Sequence, residues 1–151
     1  MRLNPEYIRE LLGLVNTSPF PQHMAMRLES IDVDRAEVSL AVSACHFQPF
    51  QIVHGGVLAT LIDTATFWAV FMRLPEDAGL VNIDLKLNYL KPVDKGPLIT
   101  KGRCIKAGRT ISYAEASVYS DRGEIFAHGT SSLMVLPGKG VRLATDKFLN
   151  E

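Results

Sequence analysis

The chain has 151 residues, with 16 Lys and Arg against 16 Asp and Glu, so its formal net charge is zero; 47% of its residues are hydrophobic and 21% are charged. That length suits one domain burying a core without disulfide or metal staples, and the composition excludes a disordered, collagen-like or coiled-coil chain. A neutral chain lacks the basic stripe that non-specific nucleic-acid binding needs, so no nucleic-acid partner is expected, whereas self-association is favoured near the isoelectric point.

Asn4-Pro5 opens a helix as N-cap and N1 residues. Ile8, Leu11, Leu12 and Val15 give it one apolar face, and it should stop near Asn16, before a Ser18-Pro19-Phe20-Pro21 turn. From Met24 the period falls to two. Leu28, Ile31 and Val33 form one short strand, Asp34-Arg35 turns the chain, and Ala36, Val38, Leu40 and Val42 form its hairpin partner. Residues 43–54 are irregular. The stretch from Gly55-Gly56 to Met72 is apolar on nearly every side, the pattern of a helix buried inside a domain. Four strands are expected at about 81–91, 97–107, 110–120 and 124–136, joined by turns at 94–97, 107–109 and 121–123 as successive antiparallel hairpins. The order predicts an α+β domain in which an antiparallel sheet wraps a long central helix. From Pro137 a loosely ordered tail is expected.

Cys45 and Cys104 form no CxxC pair and no disulfide framework, and read as thiols of a reducing compartment. The N-terminal MRLNPEYIRE carries charge where a signal peptide needs an apolar core. The most apolar window, Val57 to Met72, holds Asp63 and is too short to span a bilayer. A cytoplasmic protein with no membrane partner is expected. His23, His46, His54 and His128 show no metal-ligand spacing, so no metal is expected. Gly138-Lys139-Gly140 lacks the strand and helix that a phosphate loop requires.

The chemistry concentrates in His46–Asp63. The pattern Gln48, then His54-Gly55-Gly56, then Asp63 resembles the hotdog-fold acyl-CoA thioesterases, specifically the phenylacetate-degradation (PaaI-like) group. The resemblance continues through Val81–Pro92, Gly108-Arg109 and Gly123–Ala127, and spans roughly residues 20–137. It implies a hotdog fold of one domain over 1–151, with a short N-terminal helix, and hydrolysis of an acyl-CoA or aryl-CoA thioester (EC 3.1.2.-). No cofactor is implied beyond the coenzyme A of the substrate. By resemblance the catalytic groups are Asp63, the Gly55 N–H, His54 and Gln48. Substrate contact falls to Gly56, Asn82, Tyr89, Lys91, Lys106, Gly108 and Arg109, with Asn82 at a position that orients the acid or the water.

Physical chemistry agrees with part of this assignment. The first N–H groups of a helix lack intrahelical partners and lie at the positive end of its dipole, where they can hold an oxyanion. A carboxylate in an apolar helix is costly unless paired or functional, which marks Asp63 as a general base or a nucleophile. The sequence leaves both roles open, although the short Asp arm leaves more room for a water. Gly55 and Asp63 are eight residues apart, or ~12 Å at helical rise, too far for one thioester carbon. Two antiparallel copies of the helix would bring Asp63 of one chain to Gly55 of another, so a homodimer with shared sites is expected. The family adds frequent assembly of dimers into homotetramers. Two rival readings are a hydroxyacyl-thioester dehydratase or hydratase, because His46-Phe47 resembles those enzymes, and a non-catalytic acyl-CoA-binding module.

Overall fold

The computed structural model describes residues 2–149. Strand β1 (Arg2–Leu3) leads into helix α1 (Pro5–Thr17) and a five-residue helix α2 (Pro19–His23). The hairpin β2 (Met26–Asp32) and β3 (Arg35–Leu40) follows, then the long helix α3 (Gly55–Phe71). Strands β4 (Gly79–Tyr89), β5 (Leu98–Lys106), β6 (Ile111–Ser120) and β7 (Ile125–Leu136) complete the main sheet, and β8 (Phe148–Leu149) pairs with β1.

Six strands form one antiparallel sheet in the order β2-β3-β5-β6-β7-β4. It curls around α3, whose residues Leu61, Ile62, Ala65, Ala69 and Val70 are fully buried against it. This is the expected hotdog architecture. Its cause is visible in the sequence: a helix apolar on nearly every side must be largely enclosed, and strands alternating every second residue offer one face to enclose it. The approach is close. A Cβ added at Gly102 on β5 would lie 2.2 Å from the Ala65 carbonyl oxygen of α3, so only glycine fits there.

Three expectations are corrected. Residues 18–21 form no simple turn: Pro19 and Phe20 open helix α2, with proline in the first turn where its missing N–H costs nothing. Strands β4 and β5 are not hairpin partners. Among the described residues β4 pairs only with β7 and sits at the sheet edge, so residues 90–97 carry the chain across the sheet end to place β5 beside β3. The segment after Pro137 is docked, not loose. Glu10 accepts hydrogen bonds from the Ala144 and Thr145 N–H groups, and the Asn4 N–H donates to the Lys147 carbonyl at 2.9 Å. Lys147 is fully buried, and its ammonium donates to the Phe71 and Leu74 carbonyls at 2.7 and 2.9 Å, capping the C-terminus of α3.

Candidate active site

The irregular loop before α3 is pinned by its own main chain. His46 is buried; its Nδ1 accepts from the Ser43 N–H and its Nε2 donates to the Met24 carbonyl, both at 2.9 Å. Both ring nitrogens are thus engaged in holding the loop. Gln48 closes a tight turn, donating its N–H to the Ile52 carbonyl at 2.8 Å and accepting the Phe50 N–H on its side-chain Oε1 at 2.5 Å. The Phe50 N–H fixes the acceptor end of that amide in the loop, and its NH2 group is free to meet a substrate or water. The Val53 N–H then donates to the Val93 carbonyl at 2.7 Å, tying the loop to the segment after β4.

His54 is the N-cap of α3. Its Nδ1 accepts from the Gly56 N–H at 2.8 Å, and its carbonyl accepts from Val57 at 2.9 Å. A Cβ at Gly56 would lie 2.9 Å from that Nδ1, so glycine is needed to admit the imidazole. With these donors occupied, the N–H of Gly55 has no acceptor among the described residues. It lies at the positive end of a 17-residue helix dipole. The Tyr89 hydroxyl donates to the Gly55 carbonyl at 3.2 Å, and its ring covers the glycine so closely that an added Cβ would sit 3.1 Å away. Gln48, Ile52, Gly55, Leu58, Tyr89 and Lys91 line a cavity of about 310 Å³. Lys91 at its mouth is ion-paired with Glu124 on the exposed surface.

Asp63 stands two turns further along α3, on the stripe left open by the sheet. Gly56, Ala59, Thr60, Asp63 and Thr64 are exposed or half-buried, while the other faces of the helix are covered. Burial pushes the Asp63 carboxyl up from its ordinary value, and the Asn82 amide opposes that shift by donating to Oδ1 at 2.8 Å. Asn82 sits beside a β-bulge, where the β4–β7 register slips between Asn82 and Asp84. A bulge re-aims a side chain, here inward toward the helix.

One chain thus brings Gln48, Gly55, Tyr89 and Lys91 to one cavity, and Asp63 to Asn82, but does not join the two groups. Gly108 and Arg109 line a different cavity of about 600 Å³, with Asp34, Arg73 and Cys104, beyond the C-terminal end of α3. Exposed Lys106 lines neither. The β5–β6 turn itself explains Gly108, because an added Cβ would lie 2.1 Å from the Ile111 carbonyl oxygen. Sequence reasoning missed Ser131, which is fully buried and bonded to Asn82 at 2.9 Å. A serine at an inward position of an alternating strand carries no signal of its own.

The sequence profile of the Thioesterase superfamily matches residues 50–127, just over half of the chain. The proofreading thioesterase EntH of Klebsiella pneumoniae is 27% identical over 101 residues, which cover 67% of this chain and 74% of that protein. The crystal structure of a thioesterase family protein from Silicibacter pomeroyi superposes with a TM-score of 0.79 at 26% identity, covering 87% of this chain and 99% of that one. A Haemophilus influenzae thioesterase structure shares the fold at the same TM-score, 0.79, with 24% identity over 86% of this chain and 90% of its own. Among the described residues no helix is long and apolar enough to cross a membrane. With the profile match, the curled sheet and the enclosed helix in agreement, the chain belongs to the thioesterase superfamily, the thioester hydrolases of the hotdog fold.

Proposed function

We propose that the chain hydrolyses acyl-CoA thioesters at sites shared between two copies, as its PaaI-like sequence pattern implies. Asp63 of one copy acts as general base and the Gly55 N–H of the other as oxyanion donor. The observation that carries this reading is a separation: an unpartnered helix N-terminal N–H and a half-buried carboxylate with raised proton affinity lie ~12 Å apart along one helix. Two features support assembly from copies. Among the described residues the α3 stripe bearing Asp63 is uncovered, and the outer edge of the 11-residue strand β4 has no partner. An exposed apolar row on the outer sheet face, including Ile83, Ile105, Ile111 and Tyr113, suits a further pairing of dimers.

In this mechanism Asp63 takes a proton from water, whose oxygen attacks the thioester carbon. The carbonyl oxygen becomes an oxyanion held by the Gly55 N–H. Collapse of the tetrahedral intermediate breaks the C–S bond; the coenzyme A thiolate recovers the proton, and the free acid leaves. Asn82 holds one Asp63 oxygen and leaves Oδ2 for the water. Gln48 contributes an N–H donor, and His54 holds the helix cap that aims Gly55. Tyr89 and Lys91 border the substrate path; Lys106, Gly108 and Arg109 meet the nucleotide only across the assembly. The reaction needs no cofactor beyond the coenzyme A of its substrate. The dehydratase alternative loses its histidine, because both nitrogens of His46 are bonded to main chain.

The test is thiol release from a panel of aliphatic and aromatic acyl-CoAs, with enoyl absorbance followed in parallel. Thiol release that Asp63→Asn lowers ~10²–10⁴-fold, in a variant with an unchanged melting curve, is the expected result. Enoyl formation without thiol release would establish the dehydratase, binding without turnover would establish a carrier module, and full turnover by Asp63→Asn would remove the base assignment.

A further inference from the structure

Asn82 poses a problem that its own side chain does not solve. The two ends of a carboxamide are nearly the same size and opposite in chemistry. With the NH2 group toward Asp63, the amide stabilises a carboxylate. Turned by 180°, it presents a carbonyl oxygen, which tolerates only a protonated carboxyl. The orientation therefore decides whether Asp63 starts as a base.

Three acceptors surround Nδ2 of Asn82. Asp63 Oδ1 lies at 2.8 Å, the Asp63 carbonyl oxygen at 3.3 Å and Ser131 Oγ at 2.9 Å. The Asp63 carbonyl is a main-chain group that cannot donate. Ser131 could donate, but its hydroxyl hydrogen is spent on the Asp84 carbonyl at 2.9 Å, next to the bulge that interrupts the β4–β7 ladder. With that hydrogen committed, Ser131 offers Asn82 only lone pairs. A turned amide would set its oxygen against all three acceptors. Ser131 is fully buried, so no water competes for its hydroxyl.

We propose that Ser131 is a positioning residue that locks the Asn82 amide with its NH2 group toward Asp63, through the chain Asp84 carbonyl, Ser131 hydroxyl, Asn82 amide, Asp63 carboxylate. This rests on the reading of Asp63 as the base. Among the described residues little else acts on that carboxyl. The fully buried positions of β2, β3, β5, β6 and β7 carry no charged side chain; Asp84 and Lys86 of β4 are exposed, and Glu115 of β6 pairs with Arg103 and His128. Cys104 is the titratable side chain on the half-buried inner side, and burial holds its thiol protonated, pushed up to about 11.

The experiment follows Asp63 directly in the resting protein, by NMR titration of carboxyl-labelled aspartate, assigned by the signal missing from Asp63→Asn. In Ser131→Ala the amide loses one of its three acceptors and its orientation is held by the two Asp63 oxygens alone, so the turned form becomes less costly and the Asp63 midpoint is expected to rise by about 0.5–1 pH unit. The acid limb of kcat/KM against pH moves up by the same amount, with KM unchanged. Ser131→Thr, which keeps the hydroxyl, restores the wild-type limb. In an Asn82→Ala background, Ser131→Ala shifts nothing further. Ser131→Cys serves as a second variant if the alanine form does not fold, since a thiol bonds weakly. An unmoved Asp63 midpoint in a folded Ser131 variant, or an equal shift without Asn82, overturns the proposal. These outcomes are separate from the base assignment, which stands or falls with Asp63→Asn turnover; loss of that assignment removes the present proposal as well.

Discussion

A buried lysine should give this fold an unusual response to alkali. Lys147 is fully buried, its ammonium bonded to the Phe71 and Leu74 carbonyls and 4.4 Å from the centre of the Phe71 ring. Burial lowers its pKa from 10.5 to about 8, with the Glu76 charge opposing. Between about pH 8 and 10.5 the unfolded chain holds this proton and the folded chain does not. Stability rises with pH wherever the unfolded state binds more protons, so this group penalises folding below pH 8 and the penalty fades toward 10.5. A shift of this size corresponds to about 3 kcal/mol. Cys104 and Tyr7, both raised by burial, act in the opposite sense above their unfolded pKa values, so wild-type stability alone is ambiguous. The comparison with Lys147→Met, which keeps the stem and removes the charge, isolates the effect. Urea unfolding of both proteins from pH 7 to 10.5 should show the wild type gaining about 3 kcal/mol relative to the variant. Lys147→Ala should be less stable than Lys147→Met by about 2–3 kcal/mol at every pH in this range, since both lack the charge and only the alanine form loses the buried stem. A wild-type minus Lys147→Met difference that stays constant across this range would refute the reasoning.

Mixing Asp63→Asn with Gly55→Pro subunits, with exchange shown by mass spectrometry, should return ~25% of wild-type thiol release, because half the dimers are mixed and half their sites intact; proven exchange without recovery excludes the shared site. Proline suits the first helical position, so Gly55→Pro removes the donor without breaking α3. Gly102→Ala should cost several kcal/mol by urea titration, because the new methyl meets the Ala65 carbonyl oxygen; unchanged stability would contradict the packing. Thr100→Val should be neutral or stabilising by about 1 kcal/mol, since the Thr100 hydroxyl is buried with no hydrogen-bond partner among the described residues; a clear loss in the same titration would reveal an interaction at that hydroxyl.

What the sequence made legible depended on how local its cause was. The all-round apolarity of α3 and the patterning of β2 and β3 act over a few residues, and these elements form close to where periodicity put them, although the turn falls at Val33-Asp34 instead of Asp34-Arg35 and β3 ends at Leu40, short of Val42. His54 was marked only by the family resemblance; its part as the helix cap, with Nδ1 accepting an N–H two residues away, is seen in the structure. The place of β4 was not legible. Its partner β7 lies some 45 residues on, and nothing in residues 90–97 distinguishes a hairpin from a crossing. The docked C-terminal segment was hidden for a similar reason: Asn4 and Asp146 are bonded across 142 residues, and lysine is the side chain least expected in a core. Asp63 drew attention because a charge interrupted an apolar run, whereas Ser131 interrupted nothing.

The bare edge of β4 also bears on how the chain survives in a crowded solution. A long strand with unused N–H and C=O groups is a template for indefinite stacking, the route to aggregates. Val81, Ile83, Tyr89 and Leu90 are exposed on or beside it, and Asp84 and Lys86 supply the charges that discourage wrong neighbours. A strand pairing with its own copy about a two-fold axis ends the stack at two, since each edge consumes the other. Catalytic geometry and resistance to fibril growth then constrain the same strand, and substitutions along β4 that loosen its register should be read out in light scattering as well as in turnover.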